Sequence, residues 1–269
     1  MDFKNDINTL DRESNIKFDL YKVKVPTSND IYFRSKQQEL VDQYRGARIF
    51  MYETETDDWN HWFNTEDKEA EKAFRLIYRS YFYEAALFYY NTLVDLSWVL
   101  CYVSIEYACG KNGSRVDFSG MKPIEETYEL LRDAEKNVTS PTADENPFEY
   151  LKKMCPEFAT VIDQIIDFWK RFSSTNIRNR YNYCKHRGRL AYSEIEKLRG
   201  GRVANIYAVD QSSGENIHIA TDIRDVKNEV SLEDGILELQ EFDDNILFPY
   251  LKDLLESIEK ILDPSPIIF

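Results

Sequence analysis

The chain has 269 residues, 43% hydrophobic and 14% aromatic, which is enough apolar surface to bury a core and excludes general disorder. Only 9 Gly and 8 Pro argue against an all-β fold built on many tight turns. With 34 basic against 48 acidic residues the net charge is −14, which excludes a surface coated throughout by nucleic acid or anionic lipid but leaves room for a local basic site.

Cys101, Cys109, Cys155 and Cys184 form no CxxC pair and read as free thiols of a reducing compartment. The opening MDFKND lacks the apolar segment of a secretory signal, so a cytoplasmic protein is expected. No linker divides the chain, and residues 1–269 read as a single domain.

Residues 1–27 read as irregular, except that 16–25 (IKFDLYKVKV) alternate apolar and polar and predict a short strand stopped by Pro26. Ser28, Asn29 and Asp30 offer N-caps for a helix from about Ile31 to Met51. A polar loop over 56–64 carries Trp59, His61 and Trp62, read as packing on the core rather than as a ligand pocket.

Thr65 is the next N-cap, with Glu66 and Asp67 favourably placed in the first turn. The helical pattern then runs to Cys109, ended by Gly110 and Gly113. Some 44 residues at about 1.5 Å each span about 65 Å, long for one straight rod, so a kink near Asn91 is expected. Asn91, Asp95 and Glu106 interrupt the apolar run 85–109. A charge near a bilayer centre costs roughly 2.5–3.5 kcal/mol, so this segment is read as a buried helix and no membrane contact is expected. The aromatic stripe Phe74, Tyr78, Tyr81, Phe82, Phe88 and Tyr89 is predicted to pack in the core.

Lys122 and Pro123 start a short helix to about Lys136, followed by a loop over 137–147. Pro147 opens a helix from Phe148 to about Phe172, bent by Pro156, whose apolar face holds Phe158, Val161, Ile162, Ile165, Ile166 and Trp169. Arg178 to about Lys197 is read as helical, broken or bent at Gly188. Val203–Val209 and Asn216–Thr221 flank QSSGE as a β-hairpin, an insertion at about 202–221. Ser231 opens a last helix to about Leu262, disturbed at Pro249. The fold class is mainly α: a bundle of five or six helices with a small β-hairpin insertion.

One window reverses the charge. Between Lys170 and Arg202 lie ten basic residues against two acidic ones, a balance of +8, so the rest of the chain carries −22. His186, one of three histidines, sits inside it in the run RNRYNYCKHRG. Phosphodiester cleavage without a metal needs a group to move protons, which imidazole suits, and fixed cations to hold the added charge on phosphorus, which guanidinium suits. Helical spacing places Arg178, Asn182 and His186 on one stripe, with Asn179 and Arg189 close to it and Arg180 about 120° around.

Arg180 followed by five residues and then His186, in a late helix of an all-α protein, resembles the signature of the HEPN superfamily. The flanking Ile177-Arg178-Asn179 and His186-Arg187-Gly188 extend the likeness. The family usually places a polar residue directly after the Arg. Here Tyr181 follows Arg180, whereas Asn179 follows Arg178, which has seven residues between it and His186. Either arginine could hold the motif role. The resemblance implies a helical bundle that forms a homodimer, with two motifs meeting in a cleft. It implies a metal-independent endoribonuclease or RNA-binding protein of a microbial toxin–antitoxin or defence system, with RNA and a cognate antitoxin protein as partners and no cofactor. In that reading His186 is the general acid or base and Arg180 or Arg178 stabilises the transition state. Asn179, Asn182, Arg187 and Arg189 position phosphate. The alternative is a non-enzymatic helical interaction protein whose basic face docks an acidic partner, a second subunit or carboxylates of its own chain. No Cys/His set has zinc spacing, and HExxH, GxxxxGK, GxGxxG and GxSxG are absent.

Overall fold

A computed structural model describes residues 28–56, 61, 65–111, 152, 155–198, 206–220 and 229–262. The predicted strand at 16–25, the helix at 122–136, Trp59 and Trp62 lie outside these residues. The fold is mainly α, as expected. In chain order the helices are α1 (Ser28–Glu53), α2 (Lys68–Lys111), α3 (Ala159–Phe172), α4 (Asn176–His186), α5 (Ser193–Leu198), α6 (Leu232–Phe242) and α7 (Phe248–Leu262). The strands are β1 (Ala191–Tyr192), β2 (Ile206–Val209), β3 (Asn216–Ala220) and β4 (Glu229–Val230).

The long α2 is continuous through Asn91 and runs on through Gly110 to Lys111. Buried Asn91 closes its amide back onto the Leu87 carbonyl, so the polar side chain is absorbed within the helix. No described helix is long and apolar enough to cross a membrane. α1 packs antiparallel along α2: Arg79 donates to the Thr54 carbonyl at one end and Gln43 to the Tyr89 carbonyl further along. The approach is close at Gly46, where an added Cβ would stand 2.4 Å from a Tyr89 ring carbon.

The aromatic stripe of α2 does not pack as expected. Phe74, Tyr81 and Phe88 are exposed, and Tyr78, Phe82 and Tyr89 are only half-buried. The core takes the opposite face instead, with Tyr83, Ala86, Leu87, Tyr90, Leu93 and Val94 fully buried. Aromatic residues occupy both faces of this helix, so residue type could not tell which one turns inward.

A short 3-10 turn at Pro156–Phe158 leads into α3, so the helix is interrupted at Pro156, while 148–151 and 153–154 of the expected helix lie outside the described residues. The expected apolar face is buried throughout, with Phe158, Val161, Ile162, Ile165, Ile166 and Trp169 all inside. Phe168 stacks on Tyr250 of α7 at 3.8 Å between ring centroids, and Trp98 of α2 meets Trp169 edge-on at 4.9 Å. The buried apolar side chains of α1–α4, α6 and α7 join in one cluster.

Thr175 caps α4 by accepting from the Arg178 amide. The helix stops at His186, and Gly188 follows at φ +117°, in the region that favours glycine. Of the two outcomes expected at Gly188, the structure has the break. The chain beyond it first forms β1, paired in parallel with β4 (Ala191 with Glu229, Tyr192 with Val230), before α5. Two-residue pairings leave no periodic signal. The β-hairpin is β2 with β3, antiparallel, with Val209 opposite Asn216.

Ser231 caps α6 by accepting from the Asp234 amide. Glu194 reinforces the cap from outside: its carboxylate accepts from the Leu232 amide at 3.0 Å and the Ser231 hydroxyl at 3.0 Å. The disturbance expected at Pro249 is a π-helical turn at Asp243–Leu247 that joins α6 to α7. A wider turn relieves the clash of a proline ring with the carbonyl four residues earlier. Asp243, in that turn, is buried beneath α1 and α2. Its Oδ2 accepts from Arg48 at 2.9 Å, Tyr90 at 2.9 Å and Tyr44 at 3.3 Å.

Candidate functional site

α4 carries the charge-reversed run, and burial sorts its residues. Ile177, Arg178 and Tyr181 face the core, while Asn179, Lys185, His186 and Arg187 face solvent. Asn182 and Arg180 lie between. The predicted stripe of Arg178, Asn182 and His186 thus passes from buried to exposed. Eight residues at about 100° each leave Arg178 and His186 about 80° apart around the axis, which is enough to separate core from water at a helix end.

Arg178 is a core residue. Its guanidinium lies 5.2 Å from the Trp169 ring centre, 5.3 Å from Tyr181 and 5.8 Å from Phe172, and it donates to Asn91 Oδ1 at 3.3 Å. Arg180 is ion-paired with Glu238 of α6 at 2.6 Å and donates to the Tyr83 hydroxyl at 3.3 Å. Burial alone would lower the pKa of Arg180, but Tyr83 and then Glu238 raise it above its ordinary value, so its charge is permanent. Burial pushes the Tyr83 phenol up to about 12.

Arg189 is also engaged. It pairs with Glu84 at 2.9 Å, donates to the Ser80 hydroxyl at 2.9 Å and lies over the Tyr81 ring at 4.0 Å. Tyr192 donates to the same Glu84 at 2.9 Å. Cys184 is half-buried, and burial first, then Glu84, pushes its thiol up to about 11, so it is a poor nucleophile at neutral pH. Among the described residues, no hydrogen bond or ion pair engages the side chains of Asn179, Asn182, His186 or Arg187.

The geometry divides the sequence-based site in two. Asn179, Asn182, His186 and Arg187, with Lys185 beside them, share the accessible side of α4. Arg178, Arg180 and Arg189 are held by protein partners within the same chain. Those partners (Asn91, Glu238, Tyr83, Glu84, Ser80) were not assigned to the site by sequence. Glu238 and Glu84 are two of 48 acids with no local pattern to mark them. Asn91 did stand out, as a polar residue in an apolar run, but spacing gives no hint that it meets Arg178, 87 residues away.

An open cleft of about 340 Å³ lies elsewhere, lined by Asp163, Asp167, Arg171, Asp253 and Tyr250 of α3 and α7. Its three carboxylates against one guanidinium make it unsuited to phosphate. Among the described residues, no group of three or more His, Cys, Asp or Glu is placed to hold a metal ion.

Fold and site together define a mainly α protein with a solvent-facing, cationic helix end around a single histidine. No protein-family model, curated protein or solved structure matches the chain.

Proposed function

We propose that this is an HEPN-like RNA-binding protein acting as a metal-independent endoribonuclease in a microbial toxin or defence system. It works as a homodimer in the cytoplasm, with a cognate antitoxin protein as a further partner. The observation that carries the reading is the accessible side of α4. His186 stands beside Asn179, Asn182, Lys185 and Arg187 there, exposed, in a chain that is acidic everywhere else. His186 takes the proton of a 2′-hydroxyl as its oxygen attacks phosphorus, or, when it already carries a proton, gives it to the departing 5′-oxygen. Arg180 is favoured over Arg178 as the charge-stabilising guanidinium, because its partner Glu238 is accessible, with 39% of that side chain exposed, whereas Arg178 is enclosed among aromatic rings. An incoming phosphate would replace that carboxylate. Asn179, Asn182 and Arg187 hold the phosphate in register, and Arg178 anchors α4 in the core.

The experiment is RNA cleavage in EDTA by the wild type and His186→Ala. General acid–base catalysis predicts a loss of about 100-fold or more. Equal rates would end the catalytic claim. A second reading, a non-enzymatic interaction protein, is favoured by the intramolecular partners of Arg178 and Arg180. Wild-type protein that neither binds nor cuts RNA would establish that reading over the first.

A further inference from the structure

The exposed aromatic stripe of α2 stands mostly outside the core and touches the basic island. Phe74, Tyr81 and Phe88 are 43%, 49% and 38% exposed. They recur every seven residues, so they line one edge of the helix with successive side chains about 10 Å apart. Large apolar groups set in a row on a surface mark a place where something binds. Arg189 lies over Tyr81 at 4.0 Å, with its guanidinium fixed by Glu84 and Ser80. Phe88 packs edge-on against Tyr181 at 5.1 Å, and the Lys185 ammonium stands 5.7 Å from the same Tyr181 ring. The seam between α2 and α4 therefore combines partly exposed rings, Tyr81 with Arg189 already over one face, with cations.

We infer that this seam is a stacking platform for unpaired nucleobases: single-stranded RNA lies along α2, with bases on Tyr81 and Phe88 and phosphates on Lys185 and Arg187. The inference rests on the RNA reading above and adds strandedness to it. An acidic peptide would satisfy the cations but offer few flat rings. A single strand brings one π-face and one phosphate with every nucleotide. In a duplex the base faces are already stacked and hidden, so the rings would gain no partner.

Binding of a fluorescent 12-nucleotide RNA is measured by anisotropy for wild type, Tyr81→Leu, Phe88→Leu and Phe88→Trp, beside the matching RNA duplex. Each Leu variant is expected to bind the single strand about 5-fold to 100-fold more weakly. Phe88→Trp should bind at least as well as wild type, and the duplex should bind more weakly than the single strand. Wild-type binding that both Leu variants retain, or equal affinity for the duplex, overturns the platform while leaving the RNA reading intact. No binding by the wild type removes both. Sedimentation of the same variants supplies the remaining outcome. Conversion of a dimer to a monomer by the Leu variants, with RNA affinity unchanged, assigns the stripe to a second copy of the chain and overturns the platform.

Discussion

Two clusters in this molecule use the same three groups, an arginine, a carboxylate and tyrosine, at different depths. At the π turn, Asp243 is 1% exposed and receives Arg48, Tyr44 and Tyr90 on one oxygen. On α4, Arg180 meets Tyr83 and Glu238, whose side chain is 39% exposed. The first pair has no route to exchange partners and acts as a structural tie between α1, α2 and the α6–α7 junction. In the second the carboxylate is open to water, although the Arg180 side chain itself is only 11% exposed. The depth of the carboxylate, rather than that of the arginine or the residue type, separates the two clusters.

Asp243→Ala should break the buried cluster most severely. It leaves the Arg48 guanidinium enclosed without its carboxylate, at a cost of about 3–5 kcal/mol. Urea unfolding monitored by far-UV circular dichroism measures it, and a loss under about 1 kcal/mol would mean that the two clusters do not differ as argued. Gly46→Ala probes the same α1–α2 contact without touching charge. Its Cβ collides with Tyr89, and overpacking of this kind costs about 1–3 kcal/mol. The same melts read it.

Glu194 gives the comparison a pH axis. Burial would raise its pKa, but the amide of Leu232 and the Ser231 hydroxyl lower it overall. A depressed folded-state value means that its contribution is complete above the ordinary carboxylate range. That contribution is lost as pH falls through the folded-state value. Glu194→Gln should therefore cost about 0.5–2 kcal/mol at pH 7 and much less at pH 3, read as the difference between the two proteins' unfolding midpoints. The smallest effect belongs to Glu238→Gln, about 1 kcal/mol or less, because the pair is partly solvated. Its freed arginine should instead steepen the salt dependence of single-strand binding by about 0.7 in log–log slope. An unchanged slope would show that Arg180 does not reach phosphate.

Much of the fold was legible because it rests on local signals. Ser231, Gly188 and Pro249 mark boundaries or a disturbance by backbone chemistry that operates within a few residues, and the structure has one at or just before each. The buried face of α3 followed from its period. The stripe of α2 failed because that helix has two aromatic faces, and only packing against α1 and α7 selects between them. At the site, sequence located the run on α4 but not its sorting. Whether Arg178 or Arg180 turns inward depends on Asn91 and Glu238, which come from α2 and α6. The β1–β4 pairing was illegible for the same reason, since its two strands lie 38 positions apart.

That pairing has an architectural consequence. Because Ala191–Tyr192 and Glu229–Val230 pair side by side, the chain is brought back to the same place after 38 positions. Loop-closure cost grows only slowly with length, so such a stretch is free to lengthen, shorten or be replaced without moving α4. The exposed turn between β2 and β3 is thus a place where an insertion should cost the helices little.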